Sequence, residues 1–126
     1  MKKPLIILLA FIFLGCNQHY KKKDLLGTWD IVSSIDIESG EVEFLKGDDE
    51  MAAVFKSDSL YLFDNYDSDK YFAWRIKGDS LILEDGIRYF NIYIKELTKD
   101  KLVVEYDFLG IVRLELKKSS KHYNIP

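Results

Sequence analysis

The chain has a single cysteine, Cys16, among its 126 residues. One cysteine excludes an internal disulfide and a cysteine zinc cluster. Proline is nearly as scarce: Pro4 and Pro126 are the only two, so the stretch between them can run through strands or helices unbroken. The two histidines, His19 and His122, lie near the chain ends, which argues against a histidine-based triad or a histidine-rich metal site. No Gly-rich phosphate or nucleotide motif occurs. An excess of positive charge is missing too. Lys plus Arg number 18 against 21 Asp plus Glu, a formal charge of −3, and this disfavours nucleic acid as a partner. What is present is apolar: 48% hydrophobic and 14% aromatic residues, a composition that argues for one folded domain rather than disorder.

The apolar residues are organised in two ways. Met1-Lys2-Lys3 is a positive leader, and Leu5 to Leu14 is an uninterrupted apolar run. The run is too short for a helix to cross a bilayer core of about 30 Å, but it suits the core of a secretory signal. It ends at Phe13-Leu14-Gly15-Cys16, which resembles the lipobox of bacterial lipoproteins. That resemblance implies cleavage before Cys16 and diacylglycerol on its sulfur. The expected organisation is a signal peptide at 1–15, the lipidated cysteine and a tether at 16–24, a folded domain at 25–118 and a tail at 119–126. Asn17, where aspartate would resemble an inner-membrane retention signal, favours the outer membrane. The absence of an acidic cluster after it favours the periplasmic face.

After Gly27 the pattern changes to short alternating runs with turn signals between them. Ser57-Asp58, Gly78-Asp79 and Asp85-Gly86 suit two-residue hairpin turns, and Tyr66-Asp67-Ser68, Thr98-Lys99-Asp100 and Leu109-Gly110-Ile111 suit three-residue loops. A helical turn is expected only near Lys22 to Leu26. Each turn fixes a register, and opposed residues must share a face. The turns oppose Phe55 to Leu60, Ala53 to Leu62, Leu62 to Phe72, Leu60 to Trp74, Ile76 to Leu81 and Trp74 to Leu83. They continue with Leu81 to Phe90, Ile94 to Val104, Phe90 to Phe108, Tyr106 to Leu114 and Val104 to Leu116. One face stays apolar through all six hairpins. A first strand near Thr28 to Ile37 adds Trp29, Ile31, Ser33 and Ile35 to that face. The sum is an all-β, eight-stranded up-and-down antiparallel arrangement. Closing it into a barrel buries the apolar face and removes both edges.

Leu26-Gly27-Thr28-Trp29, at the start of the first strand, resembles the Gly-x-Trp signature of lipocalins. Residues 94–104 resemble a hairpin of small bacterial lipocalin-like lipoproteins. The resemblance covers roughly Asp24 to Leu116 and makes Gly27 and Trp29 structural signature positions. It implies a lipocalin-like barrel with an open end, whose first and longest connection, Glu38 to Glu50, acts as a lid. It also implies a basic side chain from the last strand stacked on the tryptophan. Arg113 has the outer parity, so Lys118 is the expected stand-in.

In this arrangement the N-terminus and its anchor lie at the closed end, where Lys21, Lys22 and Lys23 contribute to a basic surface. The open end is acidic. Arg88 has inward parity near the mouth, where it would hold an anionic head group or reach out into water. Phe55, Leu62, Phe72, Trp74, Phe90, Tyr106 and Phe108 would line a ligand pocket or fill the barrel. Tyr61, Tyr71, Tyr89 and Tyr93, with Phe63 and Ile82, face outward as a candidate protein-contact wall. Asp64-Asn65-Tyr66-Asp67-Ser68-Asp69 reads as a solvated turn rather than a calcium loop. The expectation is a monomeric, membrane-anchored binding protein for a small hydrophobic molecule, with no catalytic residues, metal site, cofactor or nucleic-acid partner. The alternative is a solid barrel acting as a protein-interaction module, such as an envelope inhibitor or accessory subunit.

Overall fold

The computed structural model describes residues 20–46, 50–63, 70–107 and 109–120. Cys16, the Asp64 to Asp69 segment, Phe108 and the end of the tail lie outside them. Among the described residues the order is a short helix α1 (Lys22–Leu25), then β1 (Gly27–Asp36), β2 (Val42–Phe44), β3 (Met51–Phe55), β4 (Ser59–Phe63), β5 (Lys70–Lys77), β6 (Ser80–Glu84), β7 (Tyr89–Leu97), β8 (Lys101–Asp107) and β9 (Ile111–Lys118). From β3 onward each strand pairs antiparallel with the next, and β9 returns to β1 from Trp29↔Lys118 to Asp36↔Val112. The barrel is therefore closed. One place in the ring is shared: β1 pairs with β3 through its first half and with β2 through its second. The ring thus has eight positions, one of them filled by two short strands in succession.

Part of the connection expected to act as a lid is itself a strand: Val42–Phe44 folds back along β1, with Ser33 opposite Phe44 and Ile35 opposite Val42. Asp36 makes the reversal tight. Its Oδ1 accepts from the N–H groups of Glu38 and Ser39 (3.0 and 3.3 Å), and its own N–H donates to the Glu41 carbonyl. Such an aspartate turn satisfies backbone donors that an open loop leaves to water.

Two hairpins have the expected register throughout, and a third keeps it beyond an irregularity between Ile94 and Glu96 that sets Leu97 against Leu102. Phe55 opposes Leu60, Ile76 opposes Leu81, and Ile94 opposes Val104. Three others slip by two residues: Leu60 opposes Phe72, Leu83 opposes Phe90, and Val104 opposes Leu114. A two-residue slip keeps every side chain on its face, so alternation alone does not reveal it. In the β6–β7 turn the cause is visible. Asp85 N–H donates to the Arg88 carbonyl, placing Gly86-Ile87 rather than Asp85-Gly86 at the centre. Gly86 supplies the positive φ of +94°, and Asp85 Oδ1 accepts from Ile87 and Arg88 N–H at 2.9 and 2.8 Å. These two backbone bonds hold the Asp85 carboxyl below its usual range.

A β-bulge lies between Ile31 and Ser33. Before it, Ile31 opposes Leu116; after it, Ser34 opposes Leu114 and Ile35 opposes Arg113. The extra residue exchanges the two faces of the strand. Ile35 therefore shares the outer face with Val42 and Arg113, where Arg113 forms a two-pronged bond to Glu105 (2.7 and 2.8 Å). This corrects the placement of Ile35 on the inner face, while Ser33, at the bulge itself, stays buried with 4% of its surface exposed. Beyond the bulge the inner register passes to Ser34 and its partner Glu43.

Candidate functional site

The two ends of the barrel differ in how completely they are packed. At the closed end α1 lies beneath the strands and buries Leu25. Trp29 is fully buried, and its Nε1–H donates to the Leu25 carbonyl at 2.9 Å. The Lys118 ammonium lies 4.6 Å from the centre of the Trp29 ring and donates to the Leu26 carbonyl at 2.6 Å. This is the stacked base expected from the parity of the last strand. Partial desolvation in this position lowers the Lys118 pKa from its ordinary value.

Gly27 makes the arrangement possible. Its φ is +118°, and a β-carbon there would lie 2.6 Å from Lys118 Nζ. Gly27→Ala is expected to destabilise the fold by about 1–3 kcal/mol through backbone strain and displacement of the lysine. A urea unfolding curve measures this directly as a lower midpoint with unchanged slope.

Trp74 repeats the device. Its Nε1–H donates to the Lys56 carbonyl (2.7 Å), Lys22 Nζ lies 4.7 Å from its ring centre, and Phe55 meets it edge-on at 5.0 Å. Leu60, Leu81, Leu102 and Leu116 complete a dry lower core.

Toward the open end the same inner face is less covered. Met51, Leu62, Phe72, Phe90, Ile92 and Leu114 pack against the core yet are only partly buried. Phe72 and Phe90 meet edge-to-face with centroids 6.0 Å apart. Tyr106, opposite Val112, adds a phenol to this region, and burial raises its pKa so that it keeps its proton. Arg88 stands on the same face as Phe90, with its guanidinium carbon 5.3 Å from that ring's centre. Its side chain is 72% exposed and is drawn toward Asp85 at 3.7 Å. It therefore marks the rim and does not enter the barrel.

The residues expected to form the pocket thus divide. Phe55 and Trp74 belong to the packed lower core, while Leu62, Phe72, Phe90 and Tyr106 belong to the partly accessible upper part. The tyrosine wall also needs correction. Tyr71, Tyr89 and Tyr93 are exposed, but Tyr61 is only 2% exposed, covered by Phe63 and Tyr71 with ring centroids 4.2 and 4.3 Å away. Large rings two residues apart or directly opposed on one sheet face close over whatever lies between them. Outside the barrel, a depression of about 60 Å³ lies along Ala73, Trp74, Arg75, Ile82 and Glu84. It is well below the roughly 300 Å³ at which small-molecule pockets begin.

Sequence reasoning missed three rim residues. Lys70 opposes Leu62, so it stands on the inner face two residues before Phe72. Its parity carried that signal. Ser34 and Glu43 reach the inner face only through the bulge, which nothing in the local sequence announces.

The family model for the lipocalin-like domain matches residues 25–104. The chain belongs to the lipocalin-like family. No curated protein matches it. Within this lipocalin-like barrel the match begins at Leu25, the plug beneath Trp29, and ends at Val104, where the lower core meets the mouth.

Proposed function

We propose that this chain binds a small hydrophobic molecule at the open end of its barrel, without making or breaking covalent bonds. One observation carries the reading. Toward the open end Met51, Leu62, Phe72, Phe90 and Leu114 remain partly reachable by water, whereas at the closed end Leu25, Trp29, Phe55, Leu60, Leu81 and Leu102 are buried and only the strand-end residues Ile76 and Leu97 are partly so. Covering that surface with a ligand supplies affinity by the same burial that drives folding. The chain is held, on this proposal, by a lipid on Cys16 in the bacterial outer membrane, facing the periplasm. Its mouth then points away from the anchor, since the N-terminus enters the barrel at the closed end.

Native mass spectrometry of gently purified protein, followed by titration with straight-chain alcohols, tests this. The expected spectrum shows a chain beginning at Cys16 with a diacylglycerol mass, plus a one-to-one adduct that disappears on denaturation. Alcohol affinity is expected to rise about fourfold per added methylene until the pocket is full, because each buried methylene contributes about 0.8 kcal/mol. A clean unliganded mass with no uptake of any alcohol overturns the binding reading. That result would favour a protein-contact module, a second reading supported by Val42 and Phe44, which stand exposed on the outer face.

A further inference from the structure

We infer that the closed end of the barrel is a docking surface for a bilayer of anionic phospholipid, and that it lies flat on the headgroup phosphates with the mouth facing away. This goes beyond the ligand-binding reading and does not depend on it. Five segments meet at the closed end: 20–27, which holds α1, the turns at 56–58, 77–80 and 98–100, and the end of β9 at 117–119. They carry eight lysines and four aspartates, an excess of positive charge on a chain whose formal charge is −3. The order of strands in the ring spreads the five segments around the whole base. Charges distributed over a rim match a plane of phosphates, whereas a site for one small anion gathers its donors at a point.

Two of these lysines have structural work: Lys22 and Lys118 cover the Trp74 and Trp29 rings at 4.7 and 4.6 Å. The other six, Lys21, Lys23, Lys56, Lys77, Lys99 and Lys117, are exposed, and among the described residues none has a carboxylate within ion-pair distance. The flanking segments outside the described residues, 1–19 and 121–126, contain no Asp or Glu. The acidic segments at 47–49 and 64–69 join β3 and β4 at the opposite ends of those strands. Leu26 is exposed at the same base, beside the Lys118 ammonium that its carbonyl holds. The closed end therefore offers an apolar side chain as well as charge, the combination that suits a lipid interface.

The other end of the barrel has the opposite sign, with Glu38, Glu41, Glu43, Glu84, Asp85 and Asp107 around the mouth. An anionic surface attracts one end and repels the other, so the charge pattern sets an orientation as well as a contact. Each lysine at such a surface strengthens attachment about fivefold. The attraction fades over a Debye length of about 8 Å at physiological ionic strength, so the base must be held close. The anchor proposed above would do so: six residue steps separate Cys16 from α1, a reach of at most about 20 Å. Chain length limits how far the barrel stands from the bilayer, and the lysine ring determines which end faces it.

The test uses protein purified from membranes in mild detergent and reconstituted on two sets of vesicles. One is phosphatidylcholine, the other phosphatidylcholine with one-third phosphatidylglycerol, and both contain a trace of dansyl-phosphatidylethanolamine. Trp29 and Trp74 are the only tryptophans, and both lie at the closed end, so energy transfer from indole to dansyl reads the distance from base to bilayer. Transfer is expected to be higher on the phosphatidylglycerol vesicles and to fall to the phosphatidylcholine value in about 1 M salt, where the Debye length is about 3 Å. The variant Lys21→Gln/Lys23→Gln/Lys56→Gln/Lys77→Gln/Lys99→Gln leaves Lys22 and Lys118 on their rings and is expected to lose the difference between the vesicles. The smaller variant Lys21→Gln/Lys23→Gln is expected to reduce it, and Lys46→Gln/Lys70→Gln, away from the base, to keep it. Equal transfer on the two vesicles, a difference that survives salt, or one that survives the five substitutions each overturns the inference. So does sedimentation with peptidoglycan in place of any response to vesicles, which would assign the base to an acidic polymer. Protein that sediments with the phosphatidylglycerol vesicles alone ends the anchor reading and leaves the docking surface standing. Firm attachment to both vesicles with equal transfer does the reverse.

Discussion

Trp29→Ala is expected to lower stability by about 3–5 kcal/mol, the usual range for deleting a fully buried indole. Three losses coincide at this residue. Its ring is wholly buried at the closed end, its Nε1–H satisfies the Leu25 carbonyl, and its face carries the Lys118 ammonium. Alanine leaves a cavity, an unpaired carbonyl beneath the barrel and a partly desolvated cation without its partner. Domains of this size have total stabilities of about 5–15 kcal/mol, so much of the folding free energy goes with one side chain. Thermal unfolding is expected to shift downward on the order of 15–30 °C, because each kcal/mol moves the midpoint by about 4–8 °C in a domain near one hundred residues. Trp29→Phe separates the terms. It keeps most of the apolar volume and loses the Nε1–H bond, so its cost should be about 1–2 kcal/mol. An alanine variant melting within a few degrees of the wild type would mean that α1 and Trp29 do not seal the barrel.

The closed end was legible in the sequence because its signals are redundant. Gly27 and Trp29 stand at a fixed spacing, Lys118 has the parity to meet the indole, and the Gly78-Asp79 turn fixes Trp74 against Leu83 without freedom to slip. At the open end the signals run out for identifiable reasons. Alternation has a period of two, so a two-residue slip at Asp85 or Leu109 costs no burial and escapes a test based on faces. The turn chemistry that chooses between registers depends on which backbone groups the aspartates capture. Asp85 takes Ile87 and Arg88, and Asp107 Oδ1 takes Gly110 N–H at 3.2 Å. The β1 bulge is a different kind of failure. Ser33-Ser34 reads equally well in either register, since a serine on the wrong face costs little. The structure resolves the ambiguity through pairing with Phe44, Glu43 and Glu115. The burial of Tyr61 escapes a parity argument because an outward position on a strand is not the same as exposure: Phe63 and Tyr71 pack against its ring.

The difference between the two ends makes a paired prediction about phenylalanine. Phe55 and Phe90 both point into the barrel, but Phe55 is 4% exposed against Trp74 while Phe90 is only partly buried beside Phe72. Phe55→Ala should cost about 3–5 kcal/mol, because the lower core has no way to fill the void. Phe90→Ala should cost less than half as much. Water already reaches part of its ring, and the space left behind opens to solvent, so the cavity term largely disappears. Urea unfolding of the two variants gives the comparison, and decanol titration of the folded protein gives the functional counterpart. Phe90→Ala should weaken decanol binding by about tenfold, corresponding to loss of roughly 50 Å² of apolar contact at 25–30 cal/mol/Å². Phe55→Ala, where it stays folded, should bind decanol nearly as the wild type does. Equal destabilisation by the two substitutions would mean that the barrel is packed solid from end to end. In that case the exposed edges of Phe72 and Phe90 would be the roof of a core rather than the wall of a site.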